Sequence, residues 1–423
     1  MTAATTELPG APATDATPAA GPRPPVALYI HIPFCVSICP YCDFVVYAGA
    51  AARGPRNRVE MFVAALMREL ELRADALDRR FGPRPPLASV YLGGGTPSLL
   101  SAQTMNAILA VVARRFGLEP GAEVTVECNP GPDERGDARA LRDAGVTRLS
   151  IGAQSLDPTQ LARLGRRHAP EDVAAAVEEA RAGGIGSVSV DLLYDLPGAS
   201  LGDWSLDLDA ALALEPDHLS LYALTLDDLD AEGLTGVAGD HLPTSSGARR
   251  WRERARARQD EDTAAAQYGL AVDRLRDAGW HGYEISNWAR PGHESRHNLA
   301  YWERRPYEAV GPGAHAFDGE VRRWNAARLD SYIGALVPSD GSAARLPPGG
   351  QERLDTATAA AEAVILALRT DRGVAFAAAS RPPLAAVVDW AATTGLLETT
   401  TDERVVLTTR GRLLSNELFS RLV

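Results

Sequence analysis

The stretch VALYIHIPFCVSICPYCDF, residues 26–44, decides how this chain is read. Its first seven residues are a run of β-branched and aromatic side chains, the texture of a buried strand. A loop follows that holds Cys35, Cys39 and Cys42 within eight residues, although the whole chain of 423 residues has four cysteines. The strand texture then recurs as ASVYLGG (88–94), EVTVE (123–127), RLSIGA (148–153), SVSVDLLY (187–194) and HLSLYAL (218–224). Between these runs lie Ala/Leu/Arg/Glu stretches of helical period at 58–79, 101–116, 133–144, 170–182 and 202–214. Strand followed by helix, repeated in this way, predicts parallel βαβ units. No GxGxxG follows the first strand, so an α/β fold of partial (β/α)6 barrel type is expected over 26–260, not a dinucleotide-binding sheet.

The polar residues fit that expectation. Cys35 follows strand one, Gly93-Gly94-Gly95-Thr96 follows strand two, and Glu127 ends strand three. Gln154 follows strand four, Asp191 lies late in strand five and Tyr222 late in strand six. In a parallel barrel all these strand ends meet on one face, where active sites are built.

Composition narrows the chemistry. The net charge of -12 argues against a nucleic-acid partner. Every one of the 43 Lys+Arg residues is Arg, so Schiff-base and P-loop lysine chemistry are excluded. No apolar run reaches the length of a membrane helix. Residues 1–25 read as a disordered Ala/Pro/Thr tail without the marks of a signal peptide. A cytoplasmic location is therefore expected, where clustered thiols mean metal or redox chemistry.

Three thiolates at this spacing can hold three irons of a [4Fe–4S] cluster and leave the fourth open. A structural zinc would want a fourth ligand, for which Cys128 or His31 are the candidates. Plain buried cysteine is the third reading.

CxxxCxΦC, with Tyr41 before the last cysteine, on the first loop of a barrel resembles the radical S-adenosylmethionine (SAM) superfamily. That resemblance implies a [4Fe–4S] cluster on Cys35, Cys39 and Cys42, and SAM on the open iron. A closer resemblance is to the HemN/HemW group, carried by YIHIPFC (29–35), GGGTPS (93–98), RLSIGAQS (148–155), GRRH (165–168), DLLYDLPG (191–198) and YEISNWARPGHESRHNLAYW (283–302). It implies that Tyr29 contacts SAM near the cluster, with Tyr41 in the cofactor loop. Gly94, Gly95 and Thr96 line the methionine end. Glu127, Gln154, Arg166 and Asp191 take the amino-acid and ribose portions.

Two features divide that group. The oxygen-independent coproporphyrinogen III dehydrogenases carry a further cysteine two residues after the third, and here Phe44 stands there. The HemW branch carries HNxxYW, matched by His297-Asn298-Leu299-Ala300-Tyr301-Trp302. The resemblance thus implies a haem chaperone that passes haem to membrane or respiratory proteins, with dehydrogenase activity not expected. It implies haem contact at His297, with His281, His293 and His315 as rival ligands. An electron donor for the cluster, a homodimer and peripheral attachment to the membrane during delivery complete the expectation.

Residues 261–338 read as an extension with a loop-like HNxxYW segment, and 339–350 as a linker. Residues 351–423 read as a small winged-helix-like domain with nine acidic and eight basic residues, a poor balance for DNA binding. RRWRERARAR (249–258), with six Arg, reads as a solvated helix face.

Overall fold

The structure, a computed structural model, describes residues 21–49, 58–227, 232–382 and 384–422. Residues 1–20 of the expected tail lie outside the described residues. Six parallel strands follow one another across a sheet: β1 (Ala27–Ile32), β2 (Leu87–Gly94), β3 (Leu118–Cys128), β4 (Arg148–Gln154), β5 (Ser187–Tyr194) and β6 (His218–Ala223). Beyond β6 the sheet continues into β7 (His281–Gly282) and β8 (Asn287–Ala289), with β8 antiparallel on β6. Beyond β1 it continues into β9 (Tyr307–Val310), parallel to β1, and then β10 (His315–Phe317), β11 (Val321–Asn325) and β12 (Gly349–Arg353). The order is therefore β12-β11-β10-β9-β1-β2-β3-β4-β5-β6-β8-β7. Among the described residues the two edges do not pair with each other, so this is a partial barrel.

Side-chain alternation decides which residues face the lumen. Leu28, Ile30, Ile32, Val90, Leu92, Val126 and Val190 join one buried core with Phe62, Leu66 and Leu70 of α1 (Arg58–Phe81). The intervening residues are polar, aromatic or glycine: Tyr29 and His31, Tyr91 and Gly93, Thr125 and Glu127, Ser150 and Gly152, Ser189 and Asp191. The register pairs Tyr29 with Tyr91, Glu127 with Ser150, and Gly152 with Asp191, so these residues form layers across the inner face.

Three sequence expectations change. The segment 282–302 is not loop-like: it forms β8 and the helix α2 (Arg296–Trp302), capped by Ser295. Elements of three and seven residues are too short to show periodicity. The linker ends in β12, which pairs with β11. The Arg-rich stretch forms the helix Ser246–Arg256, but Arg252 is buried and turned inward. Helix Glu261–Asp277 packs on the barrel, with Gln267 O accepting from Trp204 Nε1 at 2.8 Å.

The chain divides into two compact units at 354/355. The second unit begins where Asp355 caps helix Thr356–Leu368. It adds helix Ala385–Thr393 and an antiparallel sheet in which Arg404–Leu407 lies between Val374–Ala375 and Leu397–Thr399. No helix among the described residues is long and apolar enough to cross a membrane.

Candidate cofactor site at the mouth of the barrel

The cysteine loop leaves β1 beside the glycine segment that leaves β2. Gly95 N–H donates to Ile32 O at 2.9 Å, and Thr96 N–H to Phe34 O at 2.7 Å. The glycines are demanded by that contact. Gly94 has φ +104, and a Cβ there would fall on the His31 ring. A Cβ at Gly95 would stand 2.6 Å from Phe34 O.

Cys35, Cys39 and Cys42 are unbridged and partly buried, whereas Cys128 is buried in the core. Burial pushes the Cys35 thiol up to about 11 and the Cys42 thiol up to about 12. A metal must displace those protons to bind. One hydrogen-bonded chain joins two of the sulfurs. Thr96 Oγ1 lies 3.6 Å from Cys35 Sγ and accepts from Asn129 Nδ2 at 3.1 Å. Asn129 Oδ1 accepts from Arg166 Nη2 at 2.7 Å, and Arg166 Nη1 lies 3.6 Å from Cys39 Sγ. Arg166 Nη2 also reaches Gly152 O at 2.7 Å. Asn129 is held in turn by Glu134 Oε2 at 2.8 Å.

The carboxylates sit deeper. Glu127 accepts from Tyr91 OH and from Gly94 N–H, both at 2.9 Å, so it fixes the glycine turn. Burial pushes its carboxyl up to about 7, against those two donors. Asp191 is ringed by serines: Ser150 Oγ at 2.8 Å and Ser189 Oγ at 3.0 Å. Burial raises it as well, with Ser220, Ser150 and Ser189 opposing. Gln154 takes φ +69 at a register shift in β4, which turns its side chain back over Gly152. Tyr29 OH lies 3.0 Å from His31 Nδ1, and the Tyr41 ring stands 6.3 Å from Trp251.

The residue set fits an iron–sulfur cluster with a small zwitterionic ligand. Three free thiols share one short loop. Arg166 Nε is buried without a partner, and so offers a donor to a carboxylate.

His297 lies elsewhere. It is 1% exposed on α2, with Nδ1 3.0 Å from Ser89 Oγ and Nε2 2.8 Å from Tyr301 OH. Ser89 is near the start of β2, at the opposite end of that strand from Gly94. His281 and His315 are exposed, while His293 Nδ1 lies 3.1 Å from Ser187 Oγ.

Sequence reasoning missed Asn129, Glu134 and Arg252. Asn129 follows β3 directly, and its place at a strand end was the available signal. Arg252 donates to Pro40 O at 3.2 Å, Cys42 O at 3.1 Å, Asp227 O at 2.7 Å and Asp43 Oδ1 at 2.5 Å. It closes the cysteine loop from outside.

Comparison with known proteins agrees with this geometry. Residues 29–210 match the model of the Radical SAM superfamily. The chain is 39% identical over 405 residues to the heme chaperone HemW of Mycobacterium tuberculosis, covering 95% of this chain and 96% of that one. It is 36% identical to the heme chaperone HemW of Escherichia coli, covering 72% and 74%. A bovine mitochondrial relative, radical S-adenosyl methionine domain-containing protein 1, is 38% identical, covering 84% and 76%. The solved structure of coproporphyrinogen III oxidase (HemN) from Escherichia coli superposes with TM-score 0.74 at 22% identity, covering 98% of this chain and 93% of that one, and so shares the fold. The chain belongs to the radical SAM superfamily and, within it, to the family of the heme chaperone HemW.

Proposed function

We propose that this protein is a cytoplasmic haem chaperone, which binds haem and passes it to haem-requiring membrane or respiratory proteins. The observation that carries the reading is the likeness to heme chaperone HemW along nearly the full length of both chains. Phe44 supports it against the dehydrogenase alternative, because that position offers an exposed ring in place of a fourth sulfur. The family implies a [4Fe–4S] cluster and SAM. Cys35, Cys39 and Cys42 would each hold one iron, and Cys128, buried in the core, would hold none. When bound, the cluster supplies an open iron for SAM and an electron for its cleavage.

The chain's own residues then have definite work. Arg166 binds the SAM carboxylate through its free Nε and keeps a positive charge beside Cys39. Gly94 and Gly95 hold the glycine turn flat on β1 so that Thr96 reaches the Cys35 sulfur. Glu127 fixes that turn, and its ionised form attracts the SAM ammonium. Asp191 and Gln154 bind the ribose side. Tyr29 and Tyr41 wall the pocket against water. With a cluster and SAM in place, these residues would support assembly of the haem-loaded form or a homodimer, and an electron donor would serve the cluster. His297 shapes the barrel floor from α2, since both its nitrogens are engaged there.

The test compares two activities of one anaerobic preparation. Tight haem binding without decarboxylation of coproporphyrinogen III is the expected result. Efficient decarboxylation would overturn the reading.

A further inference from the structure

A pair of histidines beside the cysteine loop shares one carboxylate. Asp240 Oδ1 lies 3.1 Å from His241 Nδ1, and its Oδ2 lies 2.6 Å from His315 Nε2. The Asp240 side chain is 12% exposed, whereas His241 is 27% and His315 45% exposed. His241 Nε2, the nitrogen remote from the backbone, has no hydrogen-bond partner among the described residues. An imidazole whose Nδ1 faces a carboxylate and whose Nε2 is open is the usual form of a metal-binding histidine, because the carboxylate fixes the tautomer and raises ligand basicity. Burial raises the Asp240 carboxyl, but hydrogen bonds from His241 and His315 outweigh it and hold it below the usual carboxylate range.

The surroundings suit a flat, largely apolar ligand. His315 pairs across the strands with Trp324, and the two rings stack 5.9 Å apart at 22°. Trp324 Nε1 donates to Ala238 O at 3.1 Å, which ties the stack to the His241 segment. A Cβ at Gly350 would fall on the Trp324 ring, so glycine keeps that indole flat on β12. Val45, three residues after Cys42, reaches the same place: a Cβ at Gly313 would stand 2.6 Å from Val45 Cγ2 and 2.8 Å from Asp240 O. The two segments also carry strongly exposed apolar side chains, Phe44 at 64% and Val237 at 83%.

We propose that His241, backed by Asp240 and flanked by the His315–Trp324 stack, supplies the axial imidazole to haem iron beside the cysteine loop. This rests on the haem-chaperone reading. It names a ligand other than His297, whose two nitrogens are spent on Ser89 and Tyr301. The ligand class is an iron tetrapyrrole: one imidazole binds iron axially, and the porphyrin supplies the other four donors.

The experiment titrates the anaerobic, cluster-loaded full chain with haem and records the Soret band and the electron paramagnetic resonance spectrum. His241→Ala should lose the histidine-ligated spectrum, and added imidazole should restore it. Asp240→Asn should weaken haem binding by about tenfold to a hundredfold and leave the cluster iron content unchanged. His241 lies on a surface segment, and the iron count confirms that the variant is folded. If the wild type binds haem and His241→Ala keeps both affinity and spectrum, this proposal fails and the chaperone reading stands. If the wild type binds no haem, the chaperone reading itself fails.

Discussion

Replacing Arg252 by Ala should loosen the cysteine loop without touching a cysteine. Arg252 is 5% exposed, and its guanidinium donates to three backbone carbonyls and the Asp43 carboxylate. Removing one partner of a fully buried ion pair costs about 3–5 kcal/mol. The Asp43 side chain is 32% exposed, so water recovers part of the loss, and about 2–3 kcal/mol remains. That cost falls on residues 40–43, so it favours local opening of the loop over global unfolding. At 1.4 kcal/mol per decade, iron should leave to a chelator about 30- to 140-fold faster under anaerobic conditions. Arg252→Lys keeps the charge but loses the planar fork, and should fall between wild type and Ala. Wild-type rates of iron release from Arg252→Ala would refute the reasoning.

Further predictions follow from the same geometry. Cys35→Ala, Cys39→Ala or Cys42→Ala should each lose the cluster absorbance and its roughly four irons, whereas Cys128→Ala should keep them; loss of iron from Cys128→Ala would contradict the three-thiol assignment. Gly94→Ala should destabilise the barrel by at least about 2 kcal/mol in urea unfolding, since its φ of +104 and the His31 ring both oppose a Cβ. Glu127 titrates near 7 when folded against a usual 4.5. The folded chain therefore holds a proton that the unfolded chain has lost, and this group's contribution to stability declines as pH rises from about 4.5 to about 7. Glu127→Gln should flatten that part of the pH–stability curve, and a slope identical to wild type would count against a buried Glu127.

Much of the site was legible because strand alternation writes it into the sequence. A polar or glycine residue at every second position of an otherwise β-branched run marks the inner face, as Tyr29 and His31, Thr125 and Glu127, and Ser189 and Asp191 show. The three cysteines were legible because their chemistry is local, confined to one loop. Arg252 was not, because its partners in the cysteine loop lie 209 to 212 residues away along the chain. An arginine in an arginine-rich helix gives no sign of which member turns inward. The His241–Asp240–His315 group is hidden for the same reason, since β10 must fold back beside residue 240 before the cluster exists. The HNxxYW segment was legible as a motif but not as a helix. Seven residues carry too little period, and its Ser295 cap stands outside the motif.

Haem transfer is the property that tests the account most directly. The anaerobic, cluster-loaded protein is saturated with haem, freed of excess, and mixed with membranes that hold a haem-depleted respiratory enzyme. The account predicts that the Soret absorbance leaves this protein, appears in the membrane enzyme and restores its activity. Haem that stays bound, or reaches the enzyme no faster than free haem does, would contradict it.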